Sequence, residues 1–134
     1  MKIAIRYCSK TKFGNTRRIA EAIGDGVGVN AVSIADEPEL QEKVDILFLG
    51  GAPYANIMAP ELREYANKLN PSMVSKVVLF TTSNWSRRTV LALKKILRDK
   101  NIMVCEDYFY AHMLKIDEKL EEARTFGKKM AVID

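Results

Sequence analysis

Apolar positions along the 134-residue chain change spacing in regular alternation. Compact apolar runs of strand length fall at 2–7, 30–34, 45–50, 76–82 and 103–109. Helical spacing follows each of them, near 14–27, 37–43, 60–69, 87–100 and 117–131. In the first helical stretch Ile19, Ala20, Ile23 and Val27 define one apolar face. In the third, Pro60 stands at a first helical position, and Leu62, Tyr65, Ala66 and Leu69 share a face. The last opens on Asp117 and Glu118 and closes on Lys128 and Lys129, matching the helix dipole at both ends, with Leu120, Ala123, Phe126 and Met130 along one side. The stretches 45–50 and 77–80 are apolar without alternation, the mark of parallel strands covered on both faces. No repeat, linker or low-complexity segment interrupts this alternation. It predicts one domain over 1–134, an α/β fold in which a doubly wound parallel sheet lies between two layers of helices.

In such folds ligands bind beyond the carboxyl ends of the strands, where strand order reverses. The loops to read are therefore 9–16, 52–59 and 83–86. The first is dense in hydroxyls, contains Gly14 and opens directly into a helix. First-turn N–H groups without intrahelical partners, the helix dipole and the Ser and Thr side chains together suit a phosphate. The alternative is a polar loop before an ordinary capped helix. The second loop carries Tyr54 and Asn56, and the third carries Trp85, the single tryptophan of the chain. Aromatic side chains in two adjacent loops beside a phosphate loop suit a flat ring with a phosphorylated tail. The same side chains could equally cover the ends of the core.

These segments, in this order, resemble the flavodoxin family over nearly the whole chain. The strongest element is the strand followed by Ser9-x-Thr11, Gly14-Asn15-Thr16 and Ile19-Ala20-Glu21-Ala22-Ile23. Gly50-Gly51-Ala52-Pro53-Tyr54 before Pro60-Glu61-Leu62 comes next, then Leu79-Phe80-Thr81-Thr82-Ser83 and the closing Leu120-Glu121-Glu122-Ala123-Arg124-x-Phe126. The resemblance implies a five-stranded parallel sheet of order 2-1-3-4-5 that binds FMN without a covalent bond. It implies that Ser9, Thr11, Asn15 and Thr16 hold the FMN phosphate, with Lys10 and Gly14 in the same loop. Pro53, Tyr54 and Asn56, with Thr82, Ser83, Asn84 and Trp85, would then flank the isoalloxazine.

Three features depart from that family. Lys12-Phe13 stand between the Thr and the Gly-Asn-Thr, which lengthens the first loop by two residues. No Gly lies between Ala52 and Pro60, where the family uses a rotating Gly peptide against N5 of the ring; Asn56 is the residue there that best tolerates left-handed geometry. The chain is also basic, with net charge +4, and Lys10, Lys12, Arg17, Arg18, Arg87 and Arg88 lie around two of the loops. A bound flavin is therefore expected to be less reducing than in an acidic flavodoxin, and its redox partner protein to present an acidic docking surface.

The remaining composition mainly excludes. No interleaved basic and aromatic stripe suggests nucleic acid, and no apolar run approaches a membrane span. Without a secretory leader at the first residues, a cytoplasmic location is the default expectation. One histidine and two cysteines do not make a structural zinc site or a disulfide framework. In the strand order that the resemblance implies, Cys8 and Cys105 fall about 14 Å apart across three strand spacings, too far to bridge. Arg6, inside a strand of a doubly covered sheet, is expected to pair with an acid. Tyr7-Cys8 and Gly50-Gly51 stand where a phospho-receiver needs acids, and no Gly-Lys-Ser/Thr ending marks a P-loop. The function expected is an FMN-binding electron carrier. Its alternatives are an FMN-dependent NAD(P)H:quinone-type oxidoreductase and a domain of this fold that has lost its cofactor. No residue is assigned a catalytic role.

Overall fold

The computed structural model describes residues 1–9, 14–54, 57–83 and 86–132, with the backbone alone at Tyr54. Among them, seven strands run in chain order as β1 (Ile3–Cys8), β2 (Ala31–Ser33), β3 (Val44–Gly51), β4 (Pro53–Tyr54), β5 (Ile57–Met58), β6 (Val74–Ser83) and β7 (Val104–His112). Four helices accompany them: α1 (Asn15–Val27), α2 (Pro60–Lys68), α3 (Arg88–Asp99) and α4 (Ile116–Met130). Five strands build one parallel sheet in the order β2-β1-β3-β6-β7, while β4 and β5 form a separate antiparallel pair. Counting only the strands of the large sheet, this is the expected 2-1-3-4-5.

Side chains of β1 divide between the two faces, as the strand pleat requires. Ala4 and Cys8 join a core beneath α2 and α3, and Ile5 and Tyr7 join one beneath α1 and α4. The unbroken apolar run of β3 supplies both, Leu47 and Leu49 to the first and Ile46 and Phe48 to the second. All four are fully buried, and each such side chain contributes roughly 1.5–3 kcal/mol of transfer free energy. On α1 the apolar face predicted from spacing is the one buried: Ile19, Ala20 and Ile23 are fully covered. This helix runs so close to α4 that a Cβ on Gly26 would sit 2.3 Å from the Arg124 carbonyl oxygen. Gly50 answers the same need at the end of β3, where a Cβ would lie 2.3 Å from the Phe80 carbonyl oxygen. Cys8 and Cys105 pack against different cores.

The helix expected over 37–43 does not form; the segment between β2 and β3 is turns and bends. Within 37–43 the one aliphatic residue is Leu40, which is buried, so a helix there would have no stripe to hold it on the sheet. The backbone turns early instead, with the Asp36 and Glu37 N–H groups donating to the Ser33 carbonyl at 3.0 and 3.1 Å. Glu37 is drawn inward to Arg6, at 2.7 Å from its Nη2, which supplies the acid that Arg6 was expected to need. Among the described residues no helix is long and apolar enough to cross a membrane.

Candidate cofactor site

The parallel strands end together. Cys8 of β1 aligns with Gly51 of β3, Gly51 with Thr81 of β6, and Ser83 at the end of β6 with His112 at the end of β7. Gly51 has no side chain, and Thr81 closes the step by donating from Oγ1 to its carbonyl at 2.7 Å. Thr81, Thr82 and Ser83 are all buried, which makes a ledge of hydroxyls at the carboxyl edge of the sheet.

Onto that ledge the N-terminus of α1 is pinned. Thr16 is 2 % exposed, and its Oγ1 lies 2.7 Å from the Oγ1 of Thr82 in a buried hydrogen bond. Asn15 donates from Nδ2 to the Met113 carbonyl at 3.1 Å, tying the same turn to the segment after β7. The cap residue is Gly14, in an extended conformation (φ −58°, ψ 140°), with no side-chain hydrogen bond to the helix. No acid stands in the first turn, which carries Arg17 and Arg18 instead. Glycine caps are ordinary, but cations at a positive helix end are unfavourable by about 0.3–1 kcal/mol each. Both arginines are answered from the side. Arg17 Nε meets Glu21 at 2.6 Å, a bond that holds its pKa above the usual guanidinium value, and Arg18 pairs with Asp117.

The helix after β6 repeats the pattern, since α3 begins at Arg87-Arg88 with no acid in its first turn, whereas α2 and α4 begin with Glu61 and with Asp117-Glu118. Thus the two helices that leave β1 and β6 present positive ends at the carboxyl edge. The segment after β6 is braced by Ser83 Oγ donating to the Ser86 carbonyl at 2.7 Å. Tyr110 Oη and the Met113 N–H both donate to the Ser83 carbonyl at 3.0 Å.

Of the residues expected at the site, Gly14, Asn15, Thr16, Thr82 and Ser83 are brought together at this edge, and Ser9 follows directly from β1. Pro53 and the backbone of Tyr54 lie in β4, paired with Met58 and Ile57 of β5. Lys10, Thr11, Asn56, Asn84 and Trp85 lie outside the described residues. The geometry adds Thr81, Tyr110 and Met113. Tyr110 was within reach of sequence reading, because the run 108–110 is Tyr-Phe-Tyr and extends the last strand past 109. The part played by the Met113 carbonyl leaves no trace in sequence.

A parallel sheet of order 2-1-3-4-5 between two helix pairs, with its polar ledge at the carboxyl edge, is the flavodoxin-like fold. No protein-family model and no curated protein sequence matches the chain. Solved structures do. A flavodoxin from the domain Archaea superposes with a TM-score of 0.75 at 20% identity, covering 98% of this chain and 96% of that one. Oxidised Flavodoxin 1 from Bacillus cereus gives 0.76 at 18% identity, covering 95% of each chain. The flavodiiron core Flv1 from Synechocystis gives 0.74 at 18% identity, with 96% of this chain covering 34% of that one. At such identities the likeness is one of fold.

Proposed function

We propose that this protein binds FMN at the carboxyl edge of its sheet and carries electrons between protein partners. One observation carries the reading: the first turn of α1 has a glycine cap, no acid and two arginines, beside a hydroxyl ledge. A phosphate there would meet the unpartnered N–H groups of the first turn and offset the unfavourable charge. Ser9, Lys10, Thr11, Gly14, Asn15 and Thr16 are the residues we assign to it. Thr16 acts through its backbone N–H, because its hydroxyl is engaged with Thr82. That bond fixes the phosphate end relative to the ring end, for which we assign Pro53, Tyr54, Asn56 and Thr82 to Trp85.

FMN, when bound, supplies one- and two-electron chemistry. The chain's own part is to orient the ring on β4 and the end of β6 and to set the charge around it. The positive ends of α1 and α3, with exposed Arg87 and Arg88, favour added negative charge on the ring and an acidic partner surface. Titration with FMN and with riboflavin, followed by flavin fluorescence, tests the reading. Saturable FMN binding well above that of riboflavin supports it, and binding of neither refutes it. Turnover of NAD(P)H by the FMN-loaded protein alone would move the assignment from carrier to oxidoreductase.

A further inference from the structure

The outward row of α3 is Arg88, Leu91, Lys95 and Arg98, at helical spacing, with Arg87 just before it. Along the lower part of the helix the charges are answered, Lys95 by Asp99 at 3.3 Å and Arg98 by Glu106 at 2.6 Å. At the carboxyl edge they are not. Arg87 and Arg88 are exposed and have no acid within ion-pair distance among the described residues. Leu91, 60 % exposed, lies one turn further along.

The turn after β7 adds to this edge. Met113 is 46 % exposed and Leu114 82 %, the highest value of any large apolar side chain among the described residues. Lys115 follows, exposed and likewise without an acid at ion-pair distance. The turn is braced at each residue. The Met113 N–H donates to the Ser83 carbonyl at 3.0 Å, and its carbonyl accepts from Asn15 Nδ2 at 3.1 Å. The Leu114 N–H donates to Nδ1 of His112 at 3.1 Å, and the Lys115 N–H to the His112 carbonyl at 2.9 Å. Ser83 also donates from Oγ to the Ser86 carbonyl, just before Arg87, so the turn and the start of α3 are fixed to one residue. The acids that come next are engaged within α4: Asp117 pairs with Arg18, and Glu118 stands in the first turn, where its charge meets the helix end.

Apolar side chains held in water by a braced backbone, with unanswered cations around them, have the make-up of a protein interface whose ordering cost is already met. We infer that Leu91, Met113 and Leu114, with Arg87, Arg88 and Lys115, form a docking surface for a protein that presents carboxylates around an apolar recess. Charge selects this occupant: a second copy of the chain, itself at +4, would set like charges against each other there. An anionic membrane fits less well, because these cations are fewer than the roughly four to eight of a lipid-binding cluster. That the partner exchanges electrons rests on the FMN reading above; that it docks here does not.

The probe is a hexapeptide with leucine and phenylalanine between two pairs of glutamates. Its controls carry lysines in place of the glutamates, or serines in place of the apolar pair. Amide NMR shifts of the whole chain are followed during titration, with and without FMN. The acidic apolar peptide should saturably shift residues 88–91 and 113–115, and both controls should bind at least about fivefold more weakly. Arg87→Ala/Arg88→Ala and Leu114→Ser, all at exposed positions, should each weaken it about tenfold, while Lys129→Ala on the far end of α4 leaves it unchanged. Absence of saturable shifts, shifts centred on another face, or equal affinity in Leu114→Ser would overturn the inference. Phosphatidylserine vesicles moving these amides where the peptide does not would overturn it in favour of a membrane. FMN binding without peptide binding leaves the cofactor reading standing and removes the docking surface; peptide binding without FMN binding does the reverse.

Discussion

Exchanging the charges of one surface pair on α1 separates the demands of the helix from those of an anion. Arg17 is the third residue of α1, and Glu21 lies one turn further on, 2.6 Å from it and, like it, about half exposed. The double substitution Arg17→Glu/Glu21→Arg keeps the pair and the net charge. It also places the acid on the N-terminal side, the better order for such pairs. The change falls on the dipole: an unfavourable cation in the first turn becomes a favourable anion. Two effects of about 0.3–1 kcal/mol then act in the same direction, while position 21 is beyond the reach of the helix end. Asp36, which interacts electrostatically with Arg17, loses an attraction that is exposed to solvent and therefore weak. The apoprotein should gain about 1 kcal/mol, a rise of about 3 °C in Tm by calorimetry.

FMN affinity should move the other way. At ~8 Å and an effective dielectric of ~40, a unit charge at position 17 acts on each phosphate charge with ~1 kcal/mol. The opposite exchange at position 21, about 5 Å further away, offsets about half of it. After screening at physiological salt, roughly tenfold weaker FMN binding remains, with riboflavin binding unchanged. A swapped protein that melts lower than the parent, or that holds FMN as tightly, would show that the first turn of α1 is not the anion site.

Three further outcomes follow from the packing. Thr16→Val should cost about 1–3 kcal/mol in urea unfolding because it orphans the Thr82 hydroxyl, whereas Thr16→Val/Thr82→Val should be nearly neutral, giving a coupling above about 1 kcal/mol. Gly50→Ala should destabilise by about 3 kcal/mol or more, or prevent folding, because its Cβ has no room against Phe80; soluble yield and Tm report it. Burial pushes the Tyr65 pKa up to about 12, only partly opposed by Arg6. The unfolded chain releases that proton near the ordinary tyrosine value of 10, so the stabilisation is whole below pH ~10 and is lost as pH rises through ~12. It amounts to about 2–3 kcal/mol, and Tyr65→Phe should flatten alkaline unfolding curves over that interval.

The central strands could be read from sequence because β3 and β6 are buried on both faces and admit no polar interruption. The helices α1, α2, α3 and α4 could be read because their one-sided burial imposes a period. The segment 37–43 imitated such a period with a single leucine, and there length and Pro38 were the better guides. Two-residue strands such as β4 and β5 are too short for alternation to be seen at all. The strand order came from resemblance, since spacing along a chain says nothing about which strands are neighbours. At the site, the loop that opens α1 was legible as an anion cradle, but the engagement of Thr16 with Thr82 was not. It joins residues 66 apart in sequence, and only the closed sheet brings them together.

The close approach of α1 to α4 also bears on the order in which the molecule can be completed. β1 is an interior strand of the sheet, so the first strand–helix unit is central to the architecture. Yet the face of α1 that meets Arg124 and Gly127 has no cover until a helix about a hundred residues later is in place. A chain growing from its N-terminus holds that stripe open for most of its synthesis, the interval in which chaperone capture and misassociation compete with folding. Contacts spanning nearly the whole chain also place this protein among slower folders than its helix content alone would suggest.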